Sequence, residues 1–241
     1  MKVALVTGGN RGIGLETARQ LGKLGVTVLV GSRDLAKGEA LVAELRKDGV
    51  DARAVKLDLV DRSDHVAVAA WIEKEFGRLD ILVNNAAVNL DKGNGYETST
   101  TPAMTMRETF DTNFFALVEL TQALLPLIRK SDAGRIVNVS SSQGSLTMLA
   151  PEGSVVYAQK TFAYDASKTA LNSFTIHLAH ELQGTKIKVN SLHPGWVKTD
   201  MGGQNADLEL ADGAKTSVRL AMLGEDGPTG GYFYLGEALP W

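Results

Sequence analysis

The sequence predicts an α/β fold, a single domain built on a doubly wound parallel sheet with helices on both faces. Three observations predict it. Short β-branched runs alternate with longer amphipathic stretches along nearly the whole chain, the pattern of strands joined by crossover helices. Several of the short runs are almost continuously apolar, as parallel strands buried on both faces are. A glycine-rich turn stands between the first run and the first amphipathic stretch.

Taken in order, the strands are Val3–Thr7, Val26–Gly31, Ala52–Asp58, Ile81–Asn84, Arg135–Ser140, Ile187–His193 and Gly231–Leu235. Each is short, rich in Val, Ile or Leu, and bounded by glycine or polar residues. The helices between them are Gly14–Leu24, Leu35–Lys47, Ser63–Phe76, Met106–Arg129, Asp165–Leu182 and about Leu208–Leu223. Asn89–Thr101 is polar and contains glycine, as a surface loop does, and Gly202–Asn205 reads as a mobile loop just after the sixth strand. No linker, repeat or low-complexity tract divides residues 1–241. Seven strands and six helices therefore belong to one unit.

Composition narrows the function. The chain is 44% hydrophobic and 22% charged, with a net charge of −3, which gives no electrostatic case for nucleic acid or an anionic membrane as partner. It has no cysteine, so disulfides and thiolate metal sites are excluded. The first apolar run is too short for a signal segment or a membrane span. A soluble, cytoplasmic protein is expected. His177 and His180 are three residues apart and lack the H-E-x-x-H order of a zinc helix; no metal is expected.

Doubly wound sheets bind ligands at the carboxyl ends of their strands. There, Thr7-Gly8-Gly9-Asn10-Arg11-Gly12-Ile13-Gly14 leads from the first strand into the first helix. Its spacing is G-x-x-x-G-x-G on Gly8, Gly12 and Gly14. Glycines let the backbone turn tightly and approach a pyrophosphate, which then sits on the helix N-terminus. The second strand ends in Ser32-Arg33. An acid there would accept hydrogen bonds from ribose hydroxyls and favour NAD. Instead Ser32 is followed by a guanidinium, and Arg11 is a second cation in the phosphate loop. Both match a 2′-phosphate in charge and geometry, which points to NADP(H). Asp34 argues the other way if the loop carries it to the ribose. Asp58 and Leu59, at the end of the third strand, are placed to contact the adenine, although an acid there also caps turns.

Tyr164 and Lys168, in Tyr164-Asp165-Ala166-Ser167-Lys168, lie four apart on one helix face. The ammonium is expected to draw the phenol's pKa down from about 10 toward neutrality, making it a usable proton donor. Tyr157 and Lys160 imitate this pair at the wrong spacing.

With the glycine loop, Asn84-Asn85-Ala86-Ala87 and Tyr164–Lys168 in register, the chain resembles the short-chain dehydrogenase/reductase family over essentially its whole length. The resemblance implies a Rossmann fold with seven parallel strands. Asn85, Ala86 and Ala87 take the place of the family's N-A-G on the adenine-ribose side of the cofactor, with Ala87 where the glycine stands. Asn113 matches the helical asparagine of the family's catalytic tetrad. Among Ser140-Ser141-Ser142-Gln143-Gly144, the serine three before the glycine is Ser141. In His193-Pro194-Gly195-Trp196-Val197-Lys198-Thr199, Pro194 and Gly195 match the segment that holds the nicotinamide. Val197 backbone groups would bind its carboxamide, and Thr199 would bond to it or to the phosphates.

Residues 142–163 separate Ser141 from Tyr164, a longer spacing than in the family's shorter members. The extra segment, Leu146–Phe162, borders the substrate side and resembles that of the NADPH-dependent carbonyl-reductase branch. This leaves monomer and homo-oligomer both open.

The resemblance implies hydride transfer between NADPH and the carbonyl of a small ketone or aldehyde. Tyr164 would protonate the oxygen, and Ser141 would donate a hydrogen bond, a contribution of about 3–4 kcal/mol. Lys168 would hold the ribose, and Asn113 would link Lys168 to solvent through a water. Two alternatives stand beside it: an alcohol dehydrogenase working oxidatively, and a cofactor-sensing regulator without catalysis.

Overall fold

The computed structural model describes all 241 residues. Its elements run β1 Val3–Val6, α1 Gly12–Lys23, β2 Thr27–Ser32, α2 Leu35–Lys47, β3 Ala52–Lys56, α3 Arg62–Phe76, β4 Ile81–Asn84, α4 Ala103–Phe110, α5 Ala116–Ile128, β5 Arg135–Val139, α6 Leu146–Leu149, α7 Phe162–Glu181, β6 Lys188–Leu192, α8 Leu210–Ala221, β7 Tyr232–Tyr234 and β8 Glu237–Ala238.

The sheet order is β3-β2-β1-β4-β5-β6-β7-β8. All neighbours from β3 to β7 are parallel, and β8 turns back antiparallel on β7. The seven expected strands are all there, and the eighth is a two-residue addition. Strand order reverses between β1 and β4, which opens a crevice at their carboxyl ends.

Alternation along each strand divides the core in two. Leu5, Leu29, Leu82, Ile136 and Val189 face α3, α5 and α7 on one side. Ala4, Val6, Val28, Val30, Val83 and Val137 pack with residues of α1, α2 and α8 on the other. A buried polar chain crosses the middle of the sheet. Asn84 donates to Thr121 Oγ1 (3.1 Å) and Asn138 Oδ1 (2.9 Å), Asn138 donates to Thr175 Oγ1 (2.8 Å), and Thr175 shares a hydrogen bond with Ser191 (2.7 Å). It ties β4, β5, β6, α5 and α7 together by groups whose desolvation is compensated only in this register.

The helix expected over Met106–Arg129 begins earlier, after Pro102, and is interrupted. Asp111–Phe115 forms a π-helical turn between α4 and α5. The wider turn is a common functional distortion. Here it places Asn113, fully buried. The segment expected as a loop, Leu146–Phe162, contains α6 and a series of turns, with Val156 buried beneath them.

Candidate active site

A cavity of about 900 Å³ opens along the carboxyl ends of β1, β2 and β4 and reaches Tyr164 and Lys168 on α7. At its middle lies the glycine loop. Gly8 and Gly12 adopt left-handed backbone, with φ of 59° and 55°. A Cβ on Gly14 would lie 2.5 Å from Gly8 O and Asn85 Nδ2, so only glycine fits that approach. Asn85 Nδ2 donates to Thr7 O at 2.9 Å, and Thr7 Oγ1 accepts from the Asn85 and Ala86 N–H groups at 2.9 and 3.0 Å. The loop is thereby fastened to the end of β4. Gly8, Asn10, Arg11, Gly12, Ile13, Asn85, Ala86 and Ala87 all line the cavity. No side chain caps the N-terminus of α1, so its free N–H groups suit an anionic ligand.

The far end carries Arg33, Asp34 and Lys37. Ser32 does not line the cavity; its hydroxyl donates to Asp34 O at 2.7 Å. The Asp34 carboxylate caps α2 by accepting from Lys37 N at 3.1 Å, and it sits 3.7 Å from Lys37 Nζ. The one acid at this end is therefore committed to a helix cap. Arg11 lines the cavity but pairs with Asp200 at 2.7 Å, both side chains largely exposed. Lys37 escaped the sequence reading, although its spacing of four from Arg33 on an amphipathic stretch is the signal that finds it. Asp58 and Leu59 line the adenine side, with Asp58 Oδ1 accepting from Val60 N at 3.3 Å. A dinucleotide phosphorylated on its ribose fits these donors.

At the other end, β5 delivers Ser140, Ser141 and Ser142 against α7. Gly144 explains the three-residue spacing from the serine: a Cβ there would stand 2.8 Å from Lys168 Cβ. Only a glycine lets the turn press on the helix beside the lysine. Of the three hydroxyls, that of Ser141 is the one that pulls the Tyr164 pKa down, and it also accepts from Gln143 N at 3.2 Å. Ser142 N–H donates to His193 Nδ1 at 3.2 Å. The Ser140 hydroxyl is buried without a partner.

Lys168 is 2% exposed and donates to Val139 O at 2.8 Å, with Nζ 5.7 Å from the centre of the Tyr164 ring. Burial brings its pKa down to about 7. The expected depression of the Tyr164 pKa is not found. Burial dominates and pushes the phenol up to about 12, with Ser141 pulling the other way and the charge of Asp165 adding to the rise. An ammonium that desolvation itself holds near neutrality exerts little pull on its neighbour.

Asn113 Oδ1 accepts from Val88 N at 2.8 Å, and its Nδ2 donates to Val88 O (2.8 Å) and Ser167 Oγ (3.0 Å). Both amide protons are spent. The side chain fixes the segment after β4 to α7.

Pro194 and Thr199 line the cavity; Gly195 and Val197 do not. Gly195 has φ of 87°, and a Cβ there would strike Leu208. Thr199 Oγ1 accepts from Gly202 N at 2.9 Å, so the expected mobile loop is a bonded turn, further held by Trp196 Nε1 donating to Gly202 O. Met201, which follows the nicotinamide segment in sequence, lines the cavity as well; so do Gln204 and Leu210, with no sequence signal that marks them. His193 went unremarked too. Burial lowers its pKa to about 4, and its ring lies against Tyr234. The Tyr157–Lys160 decoy forms a cation–π contact of its own, 4.2 Å from nitrogen to ring centre.

The short chain dehydrogenase model matches residues 2–209. The chain belongs to the short-chain dehydrogenase family. Within it, this dehydrogenase is 34% identical to carbonyl reductase (NADPH) 1 of Homo sapiens over 266 residues, covering 95% of this chain and 94% of that one. It is 30% identical to (+)-neomenthol dehydrogenase of Capsicum annuum over 304 residues, covering 98% and 96%. Among solved structures it resembles the NADPH-bound carbonyl reductase from chicken fatty liver, with a TM-score of 0.86, 27% identity and full coverage of both chains. No helix of this short-chain dehydrogenase is long and apolar enough to cross a membrane.

Proposed function

We propose that this short-chain dehydrogenase, working as one unit over its 241 residues, reduces a ketone or aldehyde to the alcohol with NADPH, and that Tyr164 gives the proton. The observation that carries this reading is the meeting of Tyr164 and Lys168 at one end of a cavity whose other end bears Arg33 and Lys37, with Ser141 acting on Tyr164 from just behind the lining. Relatives named as NADPH carbonyl reductases support it.

NADPH supplies the hydride. The chain does the rest. Tyr164, pushed up to about 12, keeps its proton at neutral pH and donates it to the carbonyl oxygen as negative charge grows there. Ser141 donates a hydrogen bond to the same oxygen. Lys168, near neutrality, hands its proton to the phenolate left when the phenol is spent and regains one from solvent. Asn113 keeps the Val88 segment and α7 at fixed separation. A phenol protonated at neutral pH is in the form that reduction uses, whereas the oxidative direction starts from the phenolate.

Tyr164→Phe is expected to lower kcat for ketone reduction by about 100-fold or more, with NADPH affinity nearly unchanged by fluorescence titration. Substantial residual turnover would remove Tyr164 from the role. A panel of ketones and aldehydes followed by NADPH absorbance identifies the carbonyl.

A further inference from the structure

The catalytic helix begins on a group of polar side chains that proton transfer to a carbonyl does not use. Asp165 follows Tyr164 and is 4% exposed. Its Oδ1 accepts from Gln143 Nε2 and from Thr161 Oγ1, each at 3.0 Å, and its Oδ2 accepts from Thr161 N at 3.2 Å. Gln143 stands two residues beyond Ser141, and its N–H donates to the Ser141 hydroxyl. Asp91 enters from the loop after β4 and is 5% exposed. Its Oδ2 accepts from Ala163 N at 2.7 Å, while its buried Oδ1 has no partner. Three segments bordering the substrate side are thus bound to the first turn of α7 by two carboxylates. Neither carboxylate forms an ion pair. Two acids withdrawn from water without a counter-ion resist carrying charge together.

We infer that Asp165 is a positioning residue whose charge, governed by Asp91, sets how tightly Tyr164 holds its proton. Burial pushes the Asp165 carboxyl up to about 7, the charge of Asp91 adds to the rise, and Thr161 and Lys160 oppose it. The titratable groups facing it are Asp91 from the loop, Lys160 from the segment before α7 and Tyr164 on its own helix. Gln143 and Thr161 contribute neutral donors. As pH rises through neutrality Asp165 loses its proton, a negative charge appears beside Tyr164, and the phenol's pKa moves up. The donor is then retained further into alkaline solution.

The inference rests on Tyr164 as the proton donor, but its test reads the phenol directly. The full chain, saturated with NADPH, carries ¹³C at tyrosine Cζ and aspartate Cγ and is titrated by NMR. The Tyr164 signal is assigned by its loss in Tyr164→Phe, and the Asp165 signal by its loss in Asp165→Asn. One carboxyl is expected to titrate near neutrality in the wild type and at lower pH in Asp91→Asn, which keeps an acceptor for Ala163 N. The Tyr164 midpoint is expected to fall by about 0.5 pH unit or more in Asp165→Asn. A role confined to packing lowers stability and moves neither midpoint. An unmoved Tyr164 midpoint in Asp165→Asn overturns the inference, as does an Asp165 midpoint in the ordinary carboxylate range. If Asp165→Asn does not fold, the Asp165 signal is assigned by its loss in Asp165→Glu, which carries no aspartate label, and its midpoint in Asp91→Asn decides: failure to move overturns the coupling. Should the midpoints move while Tyr164→Phe retains turnover, the proton-donor reading falls and the coupling stands.

Discussion

Lys168 and Asp165 are three residues apart on α7, yet burial acts on them in opposite directions. The lysine is brought down to about 7 and the aspartate raised to about 7. The folded chain therefore releases the lysine proton earlier than the unfolded chain does. Lys168 contributes stability that is fully present above its unfolded pKa of 10.5 and is lost as pH falls through about 7. Asp165 contributes stability that is present below its unfolded pKa of 3.8 and is lost as pH rises through about 7. The two contributions are jointly weakest near neutrality. Lys168→Met, which removes the buried ammonium, is expected to lack a gain of about 2 kcal/mol that the wild type shows between pH 7 and 9, measured by urea unfolding. Sequence singled out Lys168, Tyr164 and Ser141 and passed over Asp165. It misjudged the sign of the Tyr164 shift, because a lysine four residues away is visible in a sequence and the depth at which both are buried is not. Asp34 shows the same limit: only the fold reveals that its carboxylate is spent on capping α2.

At the scale of elements, the contact between the Ser142–Gly144 turn and α7 leaves no room for a side chain beside Lys168. A methyl group on Gly144 would stand 2.9 Å from the Lys168 backbone carbon as well as 2.8 Å from its Cβ. Gly144→Ala is expected to cost about 1–3 kcal/mol by forcing turn and helix apart, and to lower kcat more than it raises KM for NADPH. Thermal melts and steady-state kinetics check both parts. The strands and most helices were legible because apolar period and glycine punctuation mark them: Leu35–Lys47 and Ile81–Asn84 match the structure residue for residue. The π turn was not. Asp111–Phe115 carries the same helical period as its flanks, and what widens it is Asn113 reaching across to Val88. Nor was β8, whose two residues are ordered by pairing with β7 and not by any pattern of their own.

For the molecule as a whole, the order of strands puts two chemistries at opposite ends of one crevice. Arg33 and Lys37 come from the edge of the sheet beyond β1, and Tyr164 and Lys168 from beyond β4. Affinity for the phosphorylated ribose and competence in proton transfer should then be separable. Replacing Arg33 and Lys37 together with alanine is expected to weaken NADPH binding by about 10–100-fold, the worth of one or two charge-assisted hydrogen bonds, while NADH affinity stays within a few-fold. A wild type that prefers NADH tenfold would overturn the assignment of these cations.

The substrate side of the molecule is fastened in a different way from its cofactor side. Ser145 Oγ donates to Pro240 O at 2.8 Å, Thr147 N donates to Trp241 O at 3.0 Å, and Trp241 stacks on Tyr232. During synthesis the glycine loop and the first strands leave the ribosome early, but α6 finds its anchors only when residues 240 and 241 have emerged. Nascent chains that have already assembled their nucleotide crevice thus still lack the anchored α6 segment until residues 240 and 241 are available.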